Sequence, residues 1–569
     1  MAKTAVDART TPDAPAPTRA SDERRSLDAV AIAIIAAAFL LPLRGLLNAP
    51  GPPMEEGFML VFPERVLAGD IPNKDFLHLY GPGSLWVLSA VYKVFGTTLL
   101  TERLFGLFQE MAVVYGIYFL ARRWGRTAAL GCALTAVVII IEPHGLVAMP
   151  WVGAIALGVW GLVAGLASRE AATPERSRRM ALVSGLLFGL ALLYRLDLAI
   201  AVLLATLALA PGTTPILKKR FALGLGFGLF PYVIHVAMAG IGNAVQGMVI
   251  DPIFNLRGGR SLPIPPDWSI FDSTVQFVAD FVKLPWPIPR LHGPAQIFLW
   301  FFGLLFALLL LGIVAVRAIR RHPTSIRARA LLVAAGFSIG LLPQTLQRPD
   351  ATHLAWVGCV GMSLVPIAVI ELVQGWRPAW PRRAVASAVG AAYLLGLFLV
   401  IPNYTIRSYV DFTAQGFGER ARSYKMRHDG RTFINGQKSN ADGANELLPV
   451  ADRITDPGDR LFVGTKDLRQ TPMSEVSFYY LLPDLVPATY YIEMDPGVAN
   501  APDSGLADDV RSADILILSS AWDYWDEPND SRKFGPSEPN EVVRNKFCLV
   551  GKFGPEYYLY ERCEKSKGG

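Results

Sequence analysis

Apolar residues run in long, nearly uninterrupted stretches from residue 29 to about residue 400, and shorter alternating runs follow. Stretches of spanning length begin near Ala29, Leu104, Thr127, Trp151, Arg179, Asp197, Phe221, Ile297, Ala328, Leu354 and Ala384, which predicts about eleven transmembrane helices. The first run reads either as a signal peptide cleaved near Ala49 or as an uncleaved anchor. The long preceding tail and the many later spans favour the anchor. Beyond residue 403, strand-like runs at Arg460–Gly464, Thr489–Ile492 and Ile515–Leu518 alternate with helical segments such as Met473–Leu482, and Phe547–Gly551 and Glu556–Glu561 predict a closing hairpin. The fold class is therefore a polytopic α-helical membrane protein with a C-terminal α/β domain.

Composition agrees: 52% of the 569 residues are apolar and 18% charged, more apolar surface than one soluble core needs. Residues 1–26, rich in Ala, Thr, Pro and Asp, predict a disordered cytoplasmic tail. Residues 27–403 form the membrane domain and 404–569 the α/β domain.

The formal charge of +6 comes from short basic clusters between apolar runs, so it marks topology and not nucleic acid. With a cytoplasmic N-terminus, the clusters Arg122–Arg126, Arg176–Arg179, Lys218–Arg220, Arg317–Arg329 and Arg377–Arg383 all fall inside. The first outer loop (49–102), a long outer loop (242–293) and the α/β domain then lie on the outer side. Cys548 and Cys563 share that domain, and a hairpin register that sets them opposite each other allows a disulfide there in an oxidising compartment, buried free thiols being the alternative.

Just outside the first span, Gly51-Pro52-Pro53 precedes Met54-Glu55-Glu56-Gly57-Phe58. The prolines start a short helix whose Phe58, Met59, Phe62 and Val66 form an apolar face fit to lie on the bilayer. A carboxylate in its first turn stays ionised, as a general base must. Adjacent helical residues point about 100° apart, so one of Glu55 and Glu56 takes the proton and the other does something else.

The segment continues through Ala68-Gly69-Asp70, Lys74-Asp75-Phe76, Tyr80-Gly81-Pro82-Gly83 and an apolar stretch ending Phe95-Gly96. This order resembles the first extracytoplasmic loop of the C-superfamily (GT-C) membrane glycosyltransferases, in the bacterial branch related to protein mannosyltransferases and lipid A sugar transferases. In that family an acidic pair precedes a glycine turn, an Arg-Asp-Phe-like triplet, a Gly-Pro element and a helix ending in Phe-Gly. Here Glu55 stands where an aspartate is usual. Weaker matches lie at Tyr194-Arg195-Leu196-Asp197 and at Leu346-Gln347-Arg348-Pro349-Asp350 with His353.

The resemblance implies transfer of a sugar from a polyprenyl-phosphate donor, with inversion, to an envelope glycan, glycolipid or protein outside a bacterial cytoplasmic membrane. Glu55 or Glu56 would be the base. Asp75 and His78 are further candidates for substrate contact, with Asp197, Asp350 and His353. Lys74, Arg195, Arg257, Arg260 and Arg348 lie at outer span ends or in outer loops, where they would reach a lipid phosphate. No His, Cys, Asp or Glu cluster has metal-ligand spacing, so no cofactor is expected, with a divalent metal left open.

Two further segments draw attention. The helical spacing of Phe271, Val275, Val278 and Val282 suggests an amphipathic anchor or lid, and the aromatic and acidic run Trp522–Asp530 suggests a carbohydrate surface. The rival readings are a transporter or flippase of lipid-linked sugars and a non-catalytic envelope-assembly protein. Ionisable residues gathered at span ends rather than mid-bilayer favour the enzyme.

Overall fold

The computed structural model describes residues 19–141, 145–266, 293–377, 379–401, 406–421, 423–525 and 527–563. Each stretch predicted to span is helical. Among the described residues, eight helices are long and apolar enough to cross a membrane: Asp28–Asn48, Leu99–Trp124, Pro150–Glu170, Pro174–Tyr194, Pro215–Ala239, Ile297–Arg321, Ile326–Gln347 and Ala351–Trp376. Arg126–Ile140 and Leu196–Leu209 are shorter apolar helices, and Arg382–Val400 is also helical. The chain is thus a multi-pass membrane protein. The first helix begins at Arg19, where Arg and Glu are good helix formers continuous with the apolar run.

Helices Pro174–Tyr194 and Pro215–Ala239 touch backbone to backbone. A Cβ at Gly185 would sit 2.0 Å from the Phe221 carbonyl oxygen, and one at Gly224 would sit 2.0 Å from that of Leu182. Small residues at four-residue spacing are what permits such contact in a bilayer.

Helix Pro53–Ala68 starts on Pro53 and ends at Gly69, whose φ of 104° makes the left-handed cap that glycine adopts without penalty. Pro63 inside it has no N–H, which leaves the Met59 carbonyl four residues back without its helical donor. Tyr92 Oη, on helix Gly83–Phe95, donates to that oxygen at 3.1 Å, and Ser89 Oγ donates to the Pro63 carbonyl at 3.1 Å. The helix was expected to rest on the bilayer. It is instead enclosed by protein, with Phe58, Met59 and Phe62 fully buried, because Gly57 admits Val476 and Ser477 of the C-terminal domain against its other side.

That domain contains a hairpin, β1 (Tyr424–His428) and β2 (Arg431–Asn435), turned by Asp429 and Gly430 at φ 42° and 71°. Its sheet has the order β4-β3-β5-β7-β6, with β3 Arg460–Thr465, β4 Val486–Pro487, β5 Ile515–Ser519, β6 Phe547–Phe553 and β7 Tyr557–Arg562. The β3–β4 and β3–β5 pairs are parallel, and β7 runs antiparallel to both β5 and β6. Every residue of β5 is buried, as a strand covered on both faces must be.

The strand expected at Thr489–Ile492 is absent, since pairing with β3 ends at Pro487 and the following chain turns toward the membrane domain. Cys548 and Cys563 form a disulfide. Cys548 faces Glu561 in the ladder and not Cys563, so the bond runs obliquely across the hairpin.

Glu475 precedes helix Ser477–Leu481 and is buried, accepting a hydrogen bond from Trp522 Nε1 at 3.0 Å. Burial, with Glu556 adding to it, pushes its carboxyl up to about 7 against the pull of that bond. The folded domain therefore holds a proton that the unfolded chain releases near the ordinary glutamate value of about 4.5. This contribution is complete below that value, declines as pH rises, and is gone above about 7. Glu475→Gln is expected to remove this slope. Thermal melts of both proteins from pH 4.5 to 8 check it, and parallel curves would refute it.

Candidate active site

Where the bundle meets the α/β domain, a cavity of about 350 Å³ opens. Its walls come from distant segments, each held by a local cause. Gly81 brings the first outer loop against the end of helix Pro174–Tyr194: its N–H donates to the Tyr194 carbonyl at 3.1 Å, and a Cβ would sit 2.1 Å from that of Leu193. The Tyr80-Gly81-Pro82 element thereby places the Tyr80 ring against Arg195.

The Arg195 guanidinium lies 4.3 Å from the Tyr80 ring centroid and 3.9 Å from that of Trp356, and forks onto Asp197. Aromatic faces on both sides hold such a cation flat. A π-helix over Gln246–Asn255 lines another wall through Met248, Val249, Pro252 and Ile253. π-helical turns are rare and concentrate at functional sites.

Two more arginines enter, and both are held by acids from the α/β domain. Arg260 Nε donates to Asp495 Oδ1 at 2.8 Å. Arg348 donates from Nε to Asp350 at 2.5 Å, from Nη1 to the Arg260 carbonyl at 2.8 Å, and from both Nη atoms to Glu527. Asp350 caps helix Ala351–Gly361, accepting from the His353 N–H at 2.8 Å and bonding its Nδ1 at 2.7 Å. Against burial, Arg348 holds the Glu527 carboxyl below the usual range.

Glu55 lines this cavity, and its Oε2 has no hydrogen-bond partner. Burial raises its pKa, partly offset by its own backbone amide and by Arg260 and Arg348. Glu493 lines the same cavity with Oε2 also unpartnered. Burial, then Asp495 and Glu55, holds it well above the glutamate range despite Arg260 and Arg195. The site therefore gathers three guanidiniums with two carboxyl groups, Glu55 and Glu493, whose charged forms burial disfavours.

Glu56 is elsewhere. It is fully buried and forked by Arg103, with Nε to Oε1 at 2.7 Å and Nη2 to Oε2 at 2.9 Å, while Arg103 Nη1 donates to the Leu47 carbonyl at 2.9 Å. Every strong donor of that arginine ties helix Pro53–Ala68 to the end of the first span.

The remaining expected residues divide by position. Arg195, Asp197, Arg260, Arg348, Asp350 and His353 line the cavity; Lys74, Asp75, His78 and Arg257 do not. Asp75 turns back to accept from the Ile71 N–H at 2.8 Å, as an aspartate in a tight turn does. Lys74 and Arg257 are exposed. His78 is buried edge-on to Phe62 and Tyr80, and burial brings it down to about 3, so it is neutral and part of the packing. Residues Phe271 to Val282 lie outside the described residues. Of the run Trp522–Asp530, Trp525 reaches the cavity wall and Glu527 supplies the Arg348 partner.

Sequence reasoning missed Glu493 and Asp495, because it read a strand that stopped at Ile492. Acids at alternate positions after an apolar run put two carboxyls on one side of an extended chain, and that signal was present. Among the described residues no group of three or more His, Cys, Asp or Glu side chains is placed to hold a metal ion.

No protein-family model and no curated protein sequence matches the chain. Solved structures do. ArnT from Cupriavidus metallidurans bound to undecaprenyl phosphate is 14% identical, with 95% of this chain and 99% of that chain covered and a TM-score of 0.52. Its apo state gives 15% identity, the same coverage and 0.49. An Archaeoglobus fulgidus oligosaccharyltransferase in complex with Zn and sulfate gives 12% identity, coverage of 94% and 72%, and 0.45. The match to the lipid-bound ArnT extends over nearly the full length of both chains, membrane bundle and C-terminal domain together, and so the chain shares the fold of that ArnT structure.

Proposed function

We propose that this protein is a membrane glycosyltransferase that moves a sugar from a polyprenyl-phosphate donor to an envelope acceptor, with inversion and with Glu55 as the general base. The observation that carries the reading is Glu55 itself, whose unpartnered carboxylate oxygen faces a cavity shared with three arginines. The lipid-bound ArnT supports the donor class. The basic clusters on the inner loops support a cytoplasmic N-terminus and an outer α/β domain, in a bacterial cytoplasmic membrane.

In this reading the acceptor hydroxyl oxygen attacks the anomeric carbon while its proton passes to Glu55. The bond from that carbon to the lipid-phosphate oxygen breaks, and the electron pair leaves with the phosphate. The departing group gains negative charge, which Arg348, Arg260 and Arg195 meet with fixed donors. Glu493, which lines the same space with an unpartnered Oε2, is placed to hydrogen-bond a sugar hydroxyl. The apolar lining of Met248, Val249, Pro252 and Ile253 suits the first isoprene units.

Arg348→Lys keeps the charge and loses the planar fork. Its KM for the polyprenyl-phosphate sugar is expected to rise about tenfold, equal to one lost charge-assisted bond of ~1.5 kcal/mol, with a smaller change in kcat. Initial rates in proteoliposomes at varied donor concentration measure this. An unchanged KM would remove Arg348 from phosphate recognition.

A further inference from the structure

A second cavity, of about 260 Å³, lies at the opposite end of the bundle between helices Pro150–Glu170, Pro174–Tyr194, Leu196–Leu209 and Pro215–Ala239. It is lined by Arg169, Ser184, Thr206, Thr213, Lys218 and Phe221, among others. Arg169 Nη1 donates to the Leu209 carbonyl at 3.1 Å and to Thr213 Oγ1 at 2.6 Å. Beside it Arg329, itself buried, donates from Nη1 to the Ala208 carbonyl at 3.0 Å. Both guanidiniums thus grip the carbonyl end of one helix, where a cation is favoured.

Neither meets a carboxylate among the described residues. The acid next in the chain, Glu170, is forked by Arg123 at 2.9 and 2.7 Å, and the Lys218 side chain has no hydrogen bond or ion pair among the described residues. Two cations, Arg169 and Lys218, therefore line one cavity, with Arg329 behind the same helix end and no carboxylate among the lining residues. Arg169 is half-buried and Lys218 exposed, so an anion at the membrane surface can reach both, and the helix-end dipole beside Arg169 carries only about half a charge. The cavity's position at the ends of membrane spans and its floor of Leu209, Leu217 and Phe221 add an apolar requirement to the anionic one.

We propose that this cavity binds the phosphate headgroup of an anionic phospholipid, with Arg169 and Lys218 as the donors and Phe221 beside the first acyl carbons. Phosphate suits the arginine fork, and at headgroup depth a lipid is the phosphate at highest local concentration. The site is independent of the reaction proposed above.

Native mass spectrometry of the full-length protein in detergent, titrated with phosphatidylglycerol, phosphatidylcholine or inorganic phosphate, tests it. Phosphatidylglycerol should add one tightly held copy that phosphatidylcholine fails to displace. Lys218→Glu, an exposed change, and Arg169→Gln should each weaken that copy about ten- to a hundredfold, with sugar transfer unchanged. Lys218→Glu keeps the test valid should Arg169→Gln fail to fold. Equal binding of the two lipids, or full retention in Lys218→Glu, would overturn the site. Saturation by inorganic phosphate at the same concentration would overturn the lipid as its ligand.

Discussion

Replacing Glu55 by glutamine is expected to lower sugar transfer about a hundred- to ten-thousandfold, the range that a positioned general base supplies, while leaving the thermal melt of the protein unchanged. Glutamine fills the same space and keeps a hydrogen-bonding oxygen, and the residue's Oε2 has no partner to lose. What disappears is the ability to take a proton. The elevated pKa sharpens the expectation, because a desolvated carboxylate is a stronger base than one in water. In the wild type, transfer should rise with pH through a limb lying above the ordinary glutamate value, since only the ionised form accepts the proton. Glu55→Asp should fall between wild type and Glu55→Gln, its carboxylate being withdrawn by one methylene. Initial rates in membranes with a polyprenyl-phosphate sugar, read beside melting curves, decide the matter. Transfer by Glu55→Gln at near wild-type rate would end the assignment.

The second large effect belongs to the neighbouring glutamate and is one of stability. Arg103→Leu strands the Glu56 carboxylate in a site with no solvent access. Removing one partner of a buried ion pair costs about 3–5 kcal/mol, enough to abolish folding in a marginal membrane protein. The double change Arg103→Leu with Glu56→Leu should regain most of that loss, because an apolar pair is often as stable as the buried ion pair it replaces. Unfolding in detergent, scored for both single variants and the double, checks the coupling. A double variant no more stable than Arg103→Leu would contradict it, and Glu56→Gln that lost transfer with its melting intact would return Glu56 to the chemistry.

These two residues show what could be read along the chain. The helices were legible because each announces itself within about twenty residues through hydropathy, and Glu55 was legible because prolines, acids and the glycine turn stand next to it. The division of labour between Glu55 and Glu56 was not, since it depends on Arg103, 47 positions away. Nor was the pairing of Arg260 with Asp495 across 235 positions, because side-chain charge carries no mark of its distant partner. The enclosed position of helix Pro53–Ala68 was misread for a related reason. Its apolar face fits lipid and protein equally well, and only Gly57 hinted that something packs closely. The Asp429-Gly430 hairpin was readable from its turn residues alone.

Asp495, which holds Arg260, and Glu527, which holds Arg348 together with Asp350 of the membrane domain, both come from the α/β domain. An incoming lipid phosphate would compete with those acids for the same guanidiniums, so occupancy at the membrane face and the seating of the outer domain draw on one set of charges. A chain cut after residue 403 would leave both arginines without these partners and Glu55 without its neighbour Glu493. The domain outside the membrane is, in this sense, the missing half of the bundle's own electrostatics.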